Sequence, residues 1–301
     1  MVLLIYVILE GRIGNQLFIY SFARRLQLDN PDQTIVIDDT MVKKLGYENL
    51  LPRYELPNVQ YVHDRRLLMS RSMFPLYLLY LVYLFLRRWY PYSTRINFEK
   101  RFASVFNKSG VFFCENGFID FESTVKKNAL VSGYFQSEKY FDRYASTIAR
   151  ELAIDVDGYP NIDDIKNRNT VCLSIKVQHN VGNGPYDVCN SGYWQKAIKY
   201  ITDIVDDPLF FVCSDDVDYV LKHLIDVNQF DVVLQSREVE VQESLAAMAC
   251  CKFFIIGNTT FGWWAQYLSN YKDKIVVAPS RWMNIEMPID IYQDNWHLIE
   301  V

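Results

Sequence analysis

From Thr170 onward the chain alternates between short apolar runs and longer amphipathic ones, and few architectures accept that pattern. TVCLSIKVQ (170–178), PLFFVCSDD, DVVLQ, KFFIIGN and KIVVAP read as strands. Between them, GYWQKAIKYITDIV, VDYVLKHLI, EVQESLAAMACC and TTFGWWAQYLSN read as helices. In the first of these helices Trp194, Ala197, Ile198, Ile201 and Val205 recur at helical spacing. Regular strand–helix alternation predicts a parallel, doubly wound sheet.

The first half is less regular but starts the same way. VLLIYVIL is an apolar strand, Gly11 and Gly14 form a turn, and a helix follows from Gln16 to Leu26. TIVID is a second strand, and NALVSGYFQ a later one that leads into a helix over SEKYFDRYASTIARELA. Phe141, Tyr144, Ile148 and Leu152 would form the apolar face of that helix. The stretch Ala153–Thr170 is polar and acidic and carries Gly158 and Pro160, which marks a boundary. The expectation is two α/β domains with a cleft between them, residues 1–160 and 161–301, which suits a chain of 301 residues.

Composition narrows the function classes. The formal net charge of −5 argues against a broad nucleic-acid surface. The six cysteines form no C-x-x-C pair and mostly sit in apolar runs, so they read as reduced core thiols of a cytoplasmic protein. MVLLIYVIL lacks a basic lead-in and reads as a buried first strand, not a signal peptide. A second apolar stretch runs from Met73 to Tyr92. Its uninterrupted part, Met73–Leu86, is 14 residues with Pro75 inside, short of the roughly 20 that span a bilayer. It reads either as a buried helix or as a helix on a membrane surface with Arg87, Arg88 and Trp89 among the headgroups.

In doubly wound sheets, ligands bind beyond the carboxyl ends of the strands. Three polar clusters fall at those ends: Lys176 with Gln178 and His179, then Ser214-Asp215-Asp216, then Asn258-Thr259-Thr260. The two aspartates can accept the paired N–H donors of a guanine edge or cap the next helix. The threonines stand at a helix start, where free N–H groups and the helix dipole favour an anion, or where one of them caps. His179 and Asp187 are candidate general bases. In the turn EGRIGNQ, Gly11 and Gly14 give only a partial dinucleotide spacing, and the G-K-[ST] of a P-loop is missing. A tight structural turn is one reading. The other is a sugar-facing turn, with Arg12, Asn15 and Gln16 supplying donors and acceptors.

GRIGNQLFIYSFARRL, SGYFQSEKYF, YWQKAIKYI, FFVCSDDVDYVLKHL, FFIIGNTTFGWWAQYLS and VVAPSRW, in that order, resemble the bacterial α-1,2-fucosyltransferases of glycosyltransferase family 11 from about Leu9 to Trp282. The resemblance implies a GT-B fold of two Rossmann-like domains. It implies GDP-fucose as donor, inversion at the sugar carbon, no cofactor and no metal, and transfer to O2 of a terminal galactose of a glycan such as O-antigen or capsule. It places the donor in the C-terminal half, on Lys176, Gln178, Ser214, Asp215, Asp216, Asn258, Thr259 and Thr260. The N-terminal turn, Gly11, Arg12, Gly14, Asn15 and Gln16, would border the acceptor. The acceptor would be a glycan or a lipid-linked oligosaccharide. Apart from the resemblance, the cysteines make the enzyme cytoplasmic, and Met73–Tyr92 gives it peripheral contact to the inner membrane face if that segment is not a buried helix.

One motif departs from the family. Where the family reads His-x-Arg-Arg-x-Asp, this chain reads KVQHNV: Lys176 stands for the histidine, Gln178 for the first arginine and His179 for the second. In the family the first arginine grips the diphosphate. A charge-assisted hydrogen bond contributes roughly 1.5–3 kcal/mol, or about 10–200-fold in binding or rate. With the strand continued to Gln178, Lys176 and Gln178 share one face, and Lys176 can take over the contact. Two alternatives are a transferase using another nucleotide sugar and a non-catalytic glycan- or nucleotide-binding relative.

Overall fold

The computed structural model of the protein describes residues 3–122, 125, 127–177 and 184–301. Gln178 and His179 lie outside these described residues. The chain divides into two compact units: Met1–Leu152 with Met287–Tyr292, and Ala153–Glu286 with Gln293–Val301. The break thus falls earlier than residue 160, and one short segment near the C-terminus belongs with the first unit. Asp290 helps hold that segment: its carboxylate accepts from the Ser137 hydroxyl at 2.5 Å and pairs with Lys139 at 2.7 Å.

The first unit is a five-stranded sheet in the order β3-β2-β1-β5-β4. Its strands are β1 (Leu3–Ile8), β2 (Gln33–Asp38), β3 (Val59–Val62), β4 (Val111–Cys114) and β5 (Ala129–Gly133), all parallel. Helices cover both faces of such a sheet, so its strands are apolar throughout rather than alternating; β4, VFFC, is buried at every position. Helix α1 (Ile13–Asp29) packs its aromatic residues inward, and Phe22 stacks on Phe135 at 4.0 Å. Gly133 ends β5 at φ +126°, where a Cβ would lie 2.3 Å from the Cys114 carbonyl, so no other residue fits there without displacing β4.

The second unit is a six-stranded parallel sheet in the order β11-β10-β9-β6-β7-β8. Its strands are β6 (Asn169–Ile175), β7 (Pro208–Ser214), β8 (Asp231–Leu234), β9 (Phe253–Ile256), β10 (Ile275–Pro279) and β11 (His297–Ile299). Trp194, Trp263 and Trp264 are fully buried in this unit.

Three sequence expectations need correction. The helix expected over 137–153 is two 3-10 turns, Glu138–Tyr140 and Asp142–Tyr144, before α5 (Ala145–Glu151). Ser137 accepts the Lys139 N–H, and Tyr140 and Phe141 turn into the core, which interrupts a continuous helix. The strand expected to reach Gln178 stops at Ile175, and Val177 is already helical. Lys176 lies just past the strand end, and the face expected to be shared with Gln178 falls outside the described residues. The third concerns α3 (Phe74–Leu86). It is neither wholly buried nor wholly exposed: Leu76, Tyr80 and Tyr83 face the core while Leu78, Val82 and Phe85 face outward. Arg87, expected among headgroups, instead pairs with Glu115. No helix among the described residues is long and apolar enough to cross a membrane.

Candidate functional site

In each sheet the chain crosses from one side of its first strand to the other. In the second unit the chain runs β6 to β7 to β8 on one side, then returns to β9 on the other side of β6. In the first it runs β1 to β2 to β3, then places β5 on the other side of β1. At such a point the flanking loops part and leave a crevice beyond the strand ends.

At the second unit's switch point the three clusters picked from sequence are neighbours. Ile175 pairs in register with Ser214, and Ser174 with Ile256, so Lys176, Ser214–Asp216 and Gly257–Thr260 leave adjoining strand ends. Most of their polar atoms bind the chain itself. Asp215 accepts the Val177 N–H at 2.8 Å, and its other oxygen lies 3.9 Å from Lys176 Nζ. Asp216 caps α8 (Val217–His223) by accepting the Tyr219 N–H at 3.0 Å. Ser214 Oγ accepts the Asp216 N–H at 3.1 Å. Thr259 caps α10 (Thr260–Leu268) by accepting the Gly262 N–H at 3.2 Å, and Thr260 opens that helix half-buried.

Asn258 is 8% exposed. Its Nδ2 donates to the carbonyls of Tyr186 at 3.1 Å and Trp282 at 2.9 Å, and its Oδ1 accepts from Cys189 Sγ at 3.6 Å. Asn284 holds the same loop, donating to the carbonyls of Gly184 at 3.2 Å and Asp187 at 2.6 Å. Asp187 sits just past the 3-10 turn Gly184–Tyr186 and is half-buried. The loop ends at Asn190, which caps α7 (Ser191–Thr202) through the Tyr193 N–H at 3.0 Å.

At the first unit's switch point two of the quoted motifs meet. Gly11 takes φ +76°, and a Cβ there would come within 2.5 Å of Asn15 Nδ2, so the turn is closed by a glycine. Gln16 is fully buried; its Nε2 donates to Gly11 O at 3.0 Å and Glu48 O at 2.7 Å, and its Oε1 accepts from Leu50 N at 3.0 Å. Both amide protons are thus engaged within the chain, and Gln16 builds the turn. Gly14 is buried at the start of α1. Asn15 accepts from Gln136 Nε2 at 2.9 Å, which ties the turn after β1 to the turn after β5. Arg12 is exposed, with its guanidinium 5.1 Å above the Tyr47 ring.

Sequence reasoning passed over the carboxylates at this same edge. Glu10 lies two residues past β1, and Glu115 directly follows β4. Burial pushes the Glu10 carboxyl above the usual carboxylate range, and the Glu115 charge adds to that push. Arg87 and Arg95 both hold Glu115. Glu99, on α4 (Arg95–Ser109), accepts from the Tyr83 hydroxyl at 2.7 Å and the Glu115 N–H at 3.2 Å. Its burial outweighs both hydrogen bonds and pushes its pKa up to about 7. The only sequence signal for Glu10 was its place between an apolar strand and a glycine. Among the described residues no group of three or more His, Cys, Asp and Glu side chains is arranged to hold a metal.

The family model described as "Glycosyl transferase family 11" matches residues 4–300. The chain belongs to glycosyl transferase family 11. Among curated proteins it is similar to the O-antigen biosynthesis glycosyltransferase WbnK of Escherichia coli, at 26% identity over 97% of this chain and 99% of that protein. It is also similar to an α-1,2-colitosyltransferase of Escherichia coli, at 27% identity over 56% of this chain and 61% of that protein. Among solved structures, the NodZ α-1,6-fucosyltransferase soaked with GDP-fucose matches with a TM-score of 0.50 over 87% of this chain and 92% of that one. At 13% identity that likeness speaks to fold alone. This family 11 glycosyltransferase thus has a GT-B type fold, with one parallel α/β sheet in each of two units.

Proposed function

We propose that this family 11 enzyme transfers fucose from GDP-fucose to O2 of a terminal galactose, with inversion and without a metal. The acceptor is an O-antigen- or capsule-type glycan presented at the inner face of the cytoplasmic membrane. The observation that carries this reading is the match to the family over residues 4–300, joined to two switch points that each collect a family-like motif. The second unit is the donor side in this reading and the first unit the acceptor side.

The chemistry is displacement of GDP by a sugar hydroxyl. The oxygen forms a bond to the anomeric carbon, the diphosphate leaves with the electron pair, and a base takes the hydroxyl proton. Developing charge on the diphosphate is best met by a fixed cation and by backbone N–H groups at a helix start. Lys176, just past the end of β6 and facing Asp215, supplies the cation here. This does not depend on a face shared with Gln178, because a lysine side chain is long and needs no strand geometry to reach a phosphate. Asp215 holds the segment that carries Lys176 by accepting the Val177 N–H.

For the base, this reading adds to His179 and Asp187 a third candidate, Glu10. It stands at the switch point of the acceptor-side unit, and its raised pKa brings it nearer the working pH than an ordinary carboxylate. The altered donor motif favours one second reading, a different nucleotide sugar.

Thermal shift and turnover with GDP-, UDP-, ADP- and dTDP-sugars separate these readings. The first reading expects stabilisation by GDP-fucose, and a fall in donor turnover of at least ~10-fold in Lys176→Ala, the scale of one charge-assisted hydrogen bond. Stabilisation only by another nucleotide class selects the second reading. A Lys176→Ala variant that turns over donor like the parent removes the lysine from the diphosphate contact.

A further inference from the structure

Helix α3 has two apolar faces, and the fold uses only one. Leu76, Tyr80 and Tyr83 are spaced to share one side and are buried, with Tyr83 stacked 4.0 Å from Phe113 of β4. On the opposite side Phe74, Leu78, Leu81, Val82, Phe85 and Trp89 continue a single stripe at helical spacing, and their exposures range from 37% at Phe74 to 76% at Trp89. A helix with no charged residue over 13 positions is normally buried all round. Here half of it faces outward, and a continuous apolar patch of that kind marks an interaction site.

The charges around the stripe identify its partner. From Arg65 to Phe98 the sequence holds Arg65, Arg66, Arg71, Arg87, Arg88 and Arg95 and no Asp or Glu, in a chain of net charge −5. Arg65, Arg87 and Arg95 are engaged with Asp38 and Glu115. Arg71 and Arg88, one before and one after α3, are exposed and make no ion pair or hydrogen bond among the described residues. Trp89 lies beside Arg88 at the end of the stripe. An apolar stripe with unpaired arginines at both ends and a tryptophan at its margin has the chemistry of an anionic bilayer surface: acyl chains for the stripe, headgroup phosphates for the arginines, and the interface for the indole. At 13 residues, about 20 Å long, the helix cannot span a hydrocarbon core of about 30 Å, but it can lie along its surface.

We propose that the outer face of α3 is a lipid-docking surface, lying flat in the headgroup layer of an anionic membrane with Arg71 and Arg88 on its phosphates. This docking holds whatever the donor and acceptor sugars are, so it stands or falls apart from the transfer reaction.

The test uses the whole protein and vesicles of phosphatidylglycerol mixed with phosphatidylcholine. Trp89 is an internal probe, because Trp194, Trp263, Trp264, Trp282 and Trp296 are all buried. The parent should float with the anionic vesicles at low salt, and brominated lipid should quench its fluorescence. Trp89→Phe should remove the quenching while the protein still floats. Arg71→Gln and Arg88→Gln should each lower the vesicle partition coefficient about 5-fold, the value of one basic residue near an anionic surface. Phe85→Glu should abolish flotation while transfer to a soluble acceptor is retained. Arg87 is left unchanged, because its contact with Glu115 belongs to the fold. A parent that stays unbound at low salt overturns the proposal. So does a parent that forms a dimer which Phe85→Glu dissolves, since the stripe would then face a second copy.

Discussion

The two switch points look alike in topology and differ in how their polar groups are used. Beyond β6, β7 and β9, Asp215, Asp216, Asn258 and Thr259 each bind a backbone group of their own unit. They shape loops and start helices. Beyond β1 and β5 the amides likewise build the turn, through Gln16 and Asn15. There, however, a half-buried carboxyl, Glu10, is held toward its neutral form. The contrast teaches that a polar residue just past an apolar strand is first a solution to the backbone's own hydrogen-bond needs. Its availability to a ligand depends on which donors and acceptors that first task leaves over.

The largest expected effect tests whether the second unit's groups are structural. Asn258→Ala removes three hydrogen bonds at once, the one from Cys189 and those to the Tyr186 and Trp282 carbonyls, of which the Tyr186 carbonyl keeps the Val188 N–H, at about 0.5–1.5 kcal/mol each. Thermal unfolding should show a loss of about 1.5–4.5 kcal/mol, with any loss of donor binding following from the displaced loop. An unchanged melting temperature with donor binding lost would reverse the assignment and make Asn258 a ligand group.

The next effect sharpens the first unit's side. Glu10→Gln keeps the shape and removes the base. Transfer should fall at least ~100-fold, about 3 kcal/mol in the barrier, while GDP affinity stays at the parent's value. The sign with pH follows from the raised pKa. The carboxyl acts when ionised, so the parent's rate should climb as pH rises through a value above the ordinary carboxylate range, and this limb should vanish in Glu10→Gln. A variant with the parent's rate and pH profile would leave the acceptor-side edge without a base at Glu10.

Much of the fold was legible because parallel strands covered on both faces are continuous apolar runs. IVVAP and FFVCS stand out for this reason, and the helices between them show a clean 3.6 period. β3 and β11 did not stand out: VQYV and HLI are short and only partly buried. The end of β6 was misplaced because KVQ continues a β-like alternation, whereas past Ile175 the Val177 N–H goes to the Asp215 carboxylate. At the site, residue types and strand ends were readable. Which side chain caps and which stays available is decided by contacts such as Asp187 to Asn284, 97 residues apart, which no local pattern carries.

The smallest expected effect separates two adjacent aspartates that the sequence treats as equals. Asp216 caps α8 through the Tyr219 N–H at 3.0 Å and lies among exposed groups. Replacing an aspartate cap with alanine costs about 1 kcal/mol, because one N–H at the helix start loses its acceptor to water rather than to a buried void. Asp215 instead accepts the Val177 N–H at 2.8 Å and faces Lys176 at 3.9 Å, so it holds the segment that the donor reading depends on. Asp216→Ala should therefore lower stability by about 1 kcal/mol and leave GDP affinity unchanged, and Asp216→Asn or Asp216→Ser should restore most of the loss, since either side chain can cap. Asp215→Ala should weaken GDP binding more than it lowers stability. Isothermal titration of GDP against both single variants and the double variant reads this directly. Equal loss of GDP affinity in Asp216→Ala and Asp215→Ala would mean that capping does not occupy Asp216, and that both carboxylates serve the nucleotide. No loss in either variant, nor in the double variant, would take base recognition away from this strand end altogether.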